Sequence, residues 1–310
     1  MIPPWLAHYR REDFFSDAMA GVIVAILVIP QSLAYALLAG LPPQAGLYAS
    51  IFPVMAYVWL GSSMVQAVGP VAVTAIMTFS VLSPLATPGS SQYILLAAGL
   101  ALLSGLLTLG FGLLRLGFLS QLLSRPVVSG FISGSAVLII ISQLRILLGI
   151  EAAGGNSWQT LRGLLEHLHQ TRPVTLLLAV LALVWLLLSR YALVKVCVRA
   201  GVSRKRAEMA VRVMPLVVLA CATLALVAAD LDSRFGVAVV GNVPEGLGSL
   251  NLFLPGWQDL RLLLAPALII AFIGTVQNIT MGQALAVKRR QRLDANRELV
   301  GLGAANVVAA

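Results

Sequence analysis

A proline, a glutamine and a tyrosine lie close together in an otherwise apolar stretch, Val28 to Ala36. Pro30 removes one helical hydrogen bond and frees a backbone carbonyl. Gln31 brings an amide donor and acceptor that hydrocarbon cannot satisfy, and Tyr35 brings a hydroxyl group. At membrane depth, irregular backbone is tolerated where it packs against protein or lines water. The stretch therefore predicts either a polar binding site or a kinked packing helix.

A second apolar stretch, Ala271 to Gln283, has a comparable pair of amides at Gln277 and Asn278. Each stretch is followed by a Gly-Leu pair that opens the next apolar segment, Gly46-Leu47 and Gly301-Leu302. Corresponding interrupted segments in two halves of a chain are typical of transporters built from inverted repeats, with the substrate near the midplane. The second stretch therefore favours the binding site over the packing helix.

A third feature is a helix start inside the apolar region, at Gly69 and Pro70. Proline suits the first position of a helix because its missing N–H would have no partner there. We expect helix breaks at Pro30, Gly69 and Pro70, with a half-helix beginning at the last two. A helix start presents unpaired N–H groups and about half a positive charge. We therefore expect backbone amides of Val71, Ala72 and Val73 to bind a small anion without a fixed cation.

The composition places these features in a lipid bilayer. The 310 residues are 59% hydrophobic and 11% charged, whereas about 25% of residues are charged in soluble domains. No charged residue lies between Asp17 and Arg115, a run with room for about four spans. The net charge of +9 comes from basic loop residues, which indicates membrane orientation and lipid contact rather than a nucleic-acid partner.

The sequence offers no chemistry for an enzyme or a metal site. Cys197 and Cys221 lie in or beside hydrophobic segments and have no metal-ligand spacing. Nucleophile, phosphate-loop and dinucleotide-binding motifs are absent from the sequence. We therefore expect no catalytic residue, no metal and no cofactor.

Hydropathy and charge predict eight membrane-spanning helices. The basic residues that precede the first span and follow the sixth and eighth lie on one side of the membrane, which puts the amino terminus in the cytoplasm. A ninth span begins near Leu299 and stops at Ala310, so we expect a truncated chain. The predicted spans are residues 18–38, 45–60, 70–84, 92–113, 118–144, 173–189, 209–229 and 262–285.

Residues 21–50, followed by Gly69-Pro70-Val71-Ala72, resemble the signature of the SulP anion transporters. This family contains sulfate permeases, bicarbonate transporters and prestin. Residues 286–288 and 294–306 are similar to the family too, and the match extends over the whole chain. The resemblance implies an all-α membrane protein with part of a seven-plus-seven inverted-repeat fold, truncated in the second repeat and divided into a core domain that holds the anion and a gate domain.

The resemblance also implies a division of the chain and a set of site residues. Residues 1–17 form a cytoplasmic segment, 18–261 the first repeat and 262–310 the start of the second, in a multi-pass cell-membrane protein. At full length it implies a homodimer and usually a carboxyl-terminal STAS domain. In the family, the positions matching Gln31, Tyr35 and Val71 line the anion pocket. The predicted substrate-binding residues are Gln31, Tyr35, Val71, Ala72, Gln277 and Asn278.

The predicted function is secondary active transport of an inorganic anion, sulfate first and bicarbonate second. Many bacterial relatives have a carboxylate near Gln277 that is linked to proton or sodium coupling, whereas the amides of Gln277 and Asn278 cannot take up a proton. This difference argues against coupling through that position and favours exchange or uncoupled flux. The alternatives are an anion channel or voltage-responsive element, a nucleobase carrier of the same architecture, and a fragment that does not transport.

Overall fold

The computed structural model describes residues 9–64, 66–118, 125–150, 157–201, 203–239, 256–289 and 293–310. Within these ranges the chain is helical and contains no strand, as the predicted all-α class requires. The helices are α1 (Arg11–Leu38), α2 (Pro43–Leu60), α3 (Ala72–Leu82), α4 (Ser91–Leu113), α5 (Arg125–Leu148), α6 (Ser157–Glu166), α7 (Pro173–Leu188), α8 (Val194–Arg199), α9 (Arg204–Ala228), α10 (Leu231–Phe235), α11 (Trp257–Arg289) and α12 (Ala295–Ala309).

The helices follow the predicted spans in order. Within α1, α4, α11 and the continuous α7–α8 pair there are stretches long and apolar enough to cross a membrane. They coincide with the first, fourth, eighth and sixth predicted spans. Shorter apolar helices within α3 and α9 coincide with the third and seventh, and the 18-residue α2 coincides with the second. The short apolar helix within α5, Ile139–Leu148, overlaps only the end of the fifth predicted span. The segment between the fifth and sixth predicted spans, residues 145–172, contains α6, a helix that span-length windows overlook.

The chain divides into two compact units. Unit one contains Val28–Ala136 and the described residues between Val243 and Ala310, with residues 9–17. Unit two contains Ala18–Leu27 and the described residues between Val137 and Asn242. Unit one therefore combines helices on both sides of the predicted repeat boundary at 261, and all the predicted site residues lie in it. The repeat boundary itself stays a prediction.

The hydrophobic core of unit one forms where α3, α4 and α11 meet. Tyr93 of α4 is fully buried, and its hydroxyl donates to the carbonyl oxygen of Ala39, just after α1, at 2.6 Å. This bond fixes the end of α1 to the start of α4. The buried side chains of the core are Leu82 of α3, Tyr93, Leu96, Ala97 and Leu100 of α4, and Leu263, Ala267 and Ile270 of α11.

Glycines bring α12 into backbone contact with α4. A Cβ atom added at Gly303 would lie 2.4 Å from the backbone nitrogen of Leu109, and one at Gly112 would lie 2.7 Å from that of Val300. Small residues at such contacts let helices approach closely in a membrane. Asp294 caps α12, because its Oδ1 accepts hydrogen bonds from the next backbone amides. Helix α12 is thus packed directly against the backbone of α4.

Among the described residues, the helices of unit two make fewer contacts with one another than those of unit one do. Many of their apolar side chains are exposed. Trp185 of α7 donates from Nε1 to the sulfur of Met214 of α9 at 3.4 Å. The guanidinium group of Arg172, just before α7, donates to the carbonyl oxygen of Gly236. Leu177 and Trp185 are exposed, as expected for helices that face lipid.

Candidate functional site

Pro30 lies inside α1, which is helical from Arg11 to Leu38. The predicted helix break at Pro30 is therefore wrong: the proline removes one hydrogen bond, and the helix continues on both sides. Ser32, two residues later, is buried and donates to the carbonyl oxygen of Val28 at 2.7 Å. Its hydroxyl also lies 2.5 Å from that of Ser50 in α2. The contact between the two serines links the α1 turn after Pro30 to α2.

Gln31 and Tyr35 come together on one face of α1. Gln31 is exposed and donates from Nε2 to the hydroxyl oxygen of Tyr35, one turn later, at 3.3 Å. On the neighbouring face, a Cβ atom added at Gly46 of α2 would lie 2.0 Å from the carbonyl oxygen of Ser32. The backbone of α2 therefore touches α1 directly beside Gln31.

Residues 61–71, which we name the connector, join α2 to α3; residue 65 lies outside the described residues. The backbone is not helical at Gly69 and Pro70, and Val71 is extended, with φ −129° and ψ 144°. Helix α3 begins at Ala72, has 11 residues and receives no side-chain cap at Val71. It is thus a short helix whose first turn offers N–H groups without intrahelical acceptors.

Helix α11 is continuous through Gln277 and Asn278, so the expected interruption of this second stretch is also wrong. Asn278 donates from Nδ2 to the carbonyl oxygen of Gly274 at 2.8 Å. Its Oδ1 accepts a hydrogen bond from Nε2 of Gln66, in the connector, at 3.0 Å. Gln277 is half-buried and, being the adjacent residue, lies on a different face of α11. The structure therefore brings Asn278, but not Gln277, to the connector.

The contacts with α11 indicate that the connector and α3 run antiparallel to it. Gln66 lies level with Asn278, whereas Leu82 packs with Ala267 and its neighbours. From Asn278 back to Ala267 a helix rises about 16 Å, and α3 itself is about as long. The connector therefore contacts the middle of α11, and the end of α3 packs nearer the start of α11.

A buried carboxylate, Glu298 of α12, was not predicted as a functional residue. Its relative exposure is 0%. It accepts hydrogen bonds from the hydroxyl of Tyr57, from both the backbone N–H and the hydroxyl of Ser62, and from the N–H of Ser63. The available signal was an acidic residue in the first turn of an apolar helix, since intramembrane acids are rare and functional by default.

A family model described as the sulfate permease family matches residues 14–310. The chain belongs to this family. A probable sulfate transporter of Mycobacterium tuberculosis is 37% identical over 302 residues, which cover 97% of this chain and 51% of the relative. The chain thus spans about half the length of the curated relatives it matches. These findings confirm the resemblance seen in the sequence.

Two solved structures show the same fold. SLC26A9 matches with a TM-score of 0.86 and 24% identity, over 99% of this chain and 49% of its own. The transmembrane domain of a cyanobacterium bicarbonate transporter, BicA, matches with a TM-score of 0.78 and 23% identity, over 97% of this chain and 73% of its own. The chain is therefore part of an all-α transporter fold, and its family consists of transporters rather than enzymes.

Proposed function

We propose that this chain is part of a secondary active transporter of an inorganic anion, sulfate first. The observation on which this rests is the start of α3: a short helix with an uncapped first turn after a non-helical connector. Membership of the sulfate permease family supports it, as does similarity to a probable sulfate transporter.

The chemistry of this helix start suits an oxyanion. The N–H groups of the first turn of α3, beginning at Ala72, have no intrahelical acceptors. Together with the positive end of the helix dipole, they attract negative charge. Sulfate is rich in acceptor oxygens, so amide and hydroxyl donors can replace part of its hydration. Gln31 and Tyr35 offer such donors, and in our proposal they bind the anion together with Val71 and Ala72.

Substrate release requires the site to open to each side of the membrane in turn. We place this alternating access in movement of the unit that holds the anion, with exchange or uncoupled flux, because Gln277 and Asn278 cannot take up a proton. We further propose a homodimer at full length, in the cell membrane, with the amino terminus in the cytoplasm and lipid around α7 and α9.

Bicarbonate is the second candidate substrate, and the fold shared with BicA favours it. Bicarbonate is smaller than sulfate and carries a single charge, so a competition experiment distinguishes the two candidate substrates. If sulfate is the substrate, unlabelled sulfate should compete with labelled sulfate at lower concentrations than bicarbonate does. The reverse order would assign the site to bicarbonate.

The test is uptake of labelled sulfate into liposomes that contain the full-length protein. We expect uptake to saturate and to show counterflow, whereas a channel would give neither. Gln31→Ala should weaken transport about tenfold or more, because a hydrogen bond to a charged group contributes about 1.5 to 3 kcal/mol. Gln92→Ala, at an exposed amide in the first turn of α4, is the matched control and should leave uptake unchanged. Equal uptake by both variants would exclude Gln31 from the site.

A further inference from the structure

The proposed anion site does not use Glu298. Oε1 of Glu298 accepts from the Tyr57 hydroxyl, while Oε2 accepts from the Ser62 N–H at 3.1 Å, the Ser62 hydroxyl at 2.8 Å and the Ser63 N–H at 3.2 Å. Burying a carboxyl group is costly unless its polar atoms are partnered. Four donors around one fully buried group therefore indicate a built polar site with a specific task.

The donors lie at the end of α2 and in the first residues of the connector, and more contacts follow along it. The Ser63 hydroxyl accepts from the N–H of Gln66 at 3.2 Å, and the Gln66 side chain donates to Asn278. Val68 then packs against Tyr57 and Leu302. The connector is thus held at successive points by α12 and α11, beginning at Glu298.

Gly301, one turn after Glu298, keeps α12 in backbone contact with the connector. A Cβ atom at Gly301 would lie 2.7 Å from the Cα of Gly61 and 2.8 Å from its nitrogen. From Gln66 to Ala72 there remain six residue steps, which reach at most about 20 Å. Because this tether is short, the anchored part of the connector limits where α3 can begin.

We propose that Glu298 is a positioning residue for the anion site: its carboxyl group fixes the connector and thereby holds the start of α3, at Val71 and Ala72. The proposal rests on the proposed function for the identity of the anion. A proton carrier is the other role open to a buried carboxyl group. The backbone N–H groups of Ser62 and Ser63 can only donate, so they favour the ionised carboxylate as an acceptor. The hydroxyls of Tyr57 and Ser62 can accept as well as donate, so the two roles are separated by the variants that follow.

Three variants separate these roles. Glu298→Ala removes both acceptor oxygens. Glu298→Gln keeps one oxygen for Ser62 and Ser63, and it turns an NH₂ group toward Tyr57, whose hydroxyl can accept as well as donate. Asp294→Ala is the matched control in the same helix, because it removes the cap of α12 and leaves the Glu298 carboxyl group in place.

The first measurement is the concentration dependence of sulfate uptake by the full-length protein in liposomes. Glu298→Ala should raise KM at least about tenfold, which corresponds to about 1.4 kcal/mol. Glu298→Gln should stay within about threefold of the parent, because it preserves most of the hydrogen bonds. Asp294→Ala should lower the thermal stability and leave KM unchanged. Equal losses in Glu298→Gln and Glu298→Ala would overturn the positioning role in favour of a charge or proton role.

The second measurement does not depend on transport. Val71→Cys, in a background with Cys197→Ser and Cys221→Ser, reports the position of the α3 start through its rate of thiol labelling. Glu298→Ala should change this rate about threefold or more, because it frees the connector locally, whereas Glu298→Gln and Asp294→Ala should not. An unchanged labelling rate in Glu298→Ala overturns the proposal, whatever happens to KM. If labelling changes but no variant or parent takes up sulfate, the anion function fails and the positioning role stands.

Discussion

Gln66 and Asn278 are 212 positions apart in the chain and meet through an amide-to-amide hydrogen bond of 3.0 Å. Gln66 lies between α2 and α3, whereas Asn278 lies in the middle of α11. Asn278 also donates to Gly274, so its side chain is held on two sides. The bond joins the connector to the helix that was predicted to begin the second repeat.

Replacing Asn278 by alanine should destabilise unit one. Asn278→Ala removes the acceptor for Gln66, and an amide donor left without a partner in a half-buried position lowers stability by about 1 kcal/mol. Thermal unfolding of the purified full-length protein in detergent measures the effect. Gln283→Ala, at an exposed amide of the same helix, is the control and should unfold at the parent temperature. Equal midpoints for the two variants would mean that the Gln66 contact contributes nothing.

Replacing Asn278 by aspartate should make transport depend on pH. The carboxylate of Asn278→Asp can still accept from Gln66, but it can donate to the Gly274 carbonyl oxygen only when it is protonated. An amide cannot titrate, whereas a carboxyl group can. We expect the ratio of sulfate uptake at pH 5 to that at pH 8 to differ from the parent ratio by about threefold or more. If the variant and the parent have the same ratio of uptake at the two pH values, the protonation of residue 278 does not affect transport.

Hydropathy located the helices well, because a bilayer requires long apolar segments whatever their partners. It missed α6, a short helix with polar residues among its apolar ones. The start of α3 was predicted to within two residues: Pro70 was expected at the first helical position, whereas the helix begins at Ala72, after an extended Val71. The break expected at Pro30 did not occur, because one missing hydrogen bond does not end a helix whose other turns are intact.

The contacts around Glu298 could not be read from the sequence. Tyr57 and Glu298 are 241 positions apart, and no sequence motif around either residue predicts contact with the other. A single sequence shows that an acid lies in an apolar helix, but only the fold shows which donors surround it. The role of Gln66 was hidden for the same reason, because its partner lies in a different predicted repeat.

Adding a methyl group at Gly303 should weaken the packing of α12 on α4. The new Cβ atom would lie 2.4 Å from the backbone nitrogen of Leu109, and backbone atoms cannot move aside as a side chain can. Gly303→Ala should therefore lower the free energy of unfolding by about 1 to 3 kcal/mol. Gly110→Ala in α4 meets nothing within 4 Å and should be neutral or slightly stabilising. Thermal unfolding compares them, and a neutral Gly303→Ala would contradict the close packing.

Gly46 allows the same test beside the proposed anion site. A Cβ atom there would lie 2.0 Å from the carbonyl oxygen of Ser32, the residue after Gln31. Gly46→Ala must therefore push the α1 turn away from α2, and it should also disturb the hydrogen bond between the hydroxyls of Ser32 and Ser50. Because a shift of about 1 Å can cost a site roughly a hundredfold in rate, we expect sulfate uptake to fall more steeply than stability does.

The control for Gly46→Ala is Gly21→Ala, which lies in α1 itself and meets nothing within 4 Å. Both variants are measured for uptake and for thermal unfolding in the full-length protein. Gly21→Ala should match the parent in both measurements. If Gly46→Ala transports sulfate normally despite a lower unfolding temperature, the turn after Pro30 is only a packing contact, and Gln31 does not need its present position. A loss of uptake with nearly normal stability would instead place the turn in the transport mechanism.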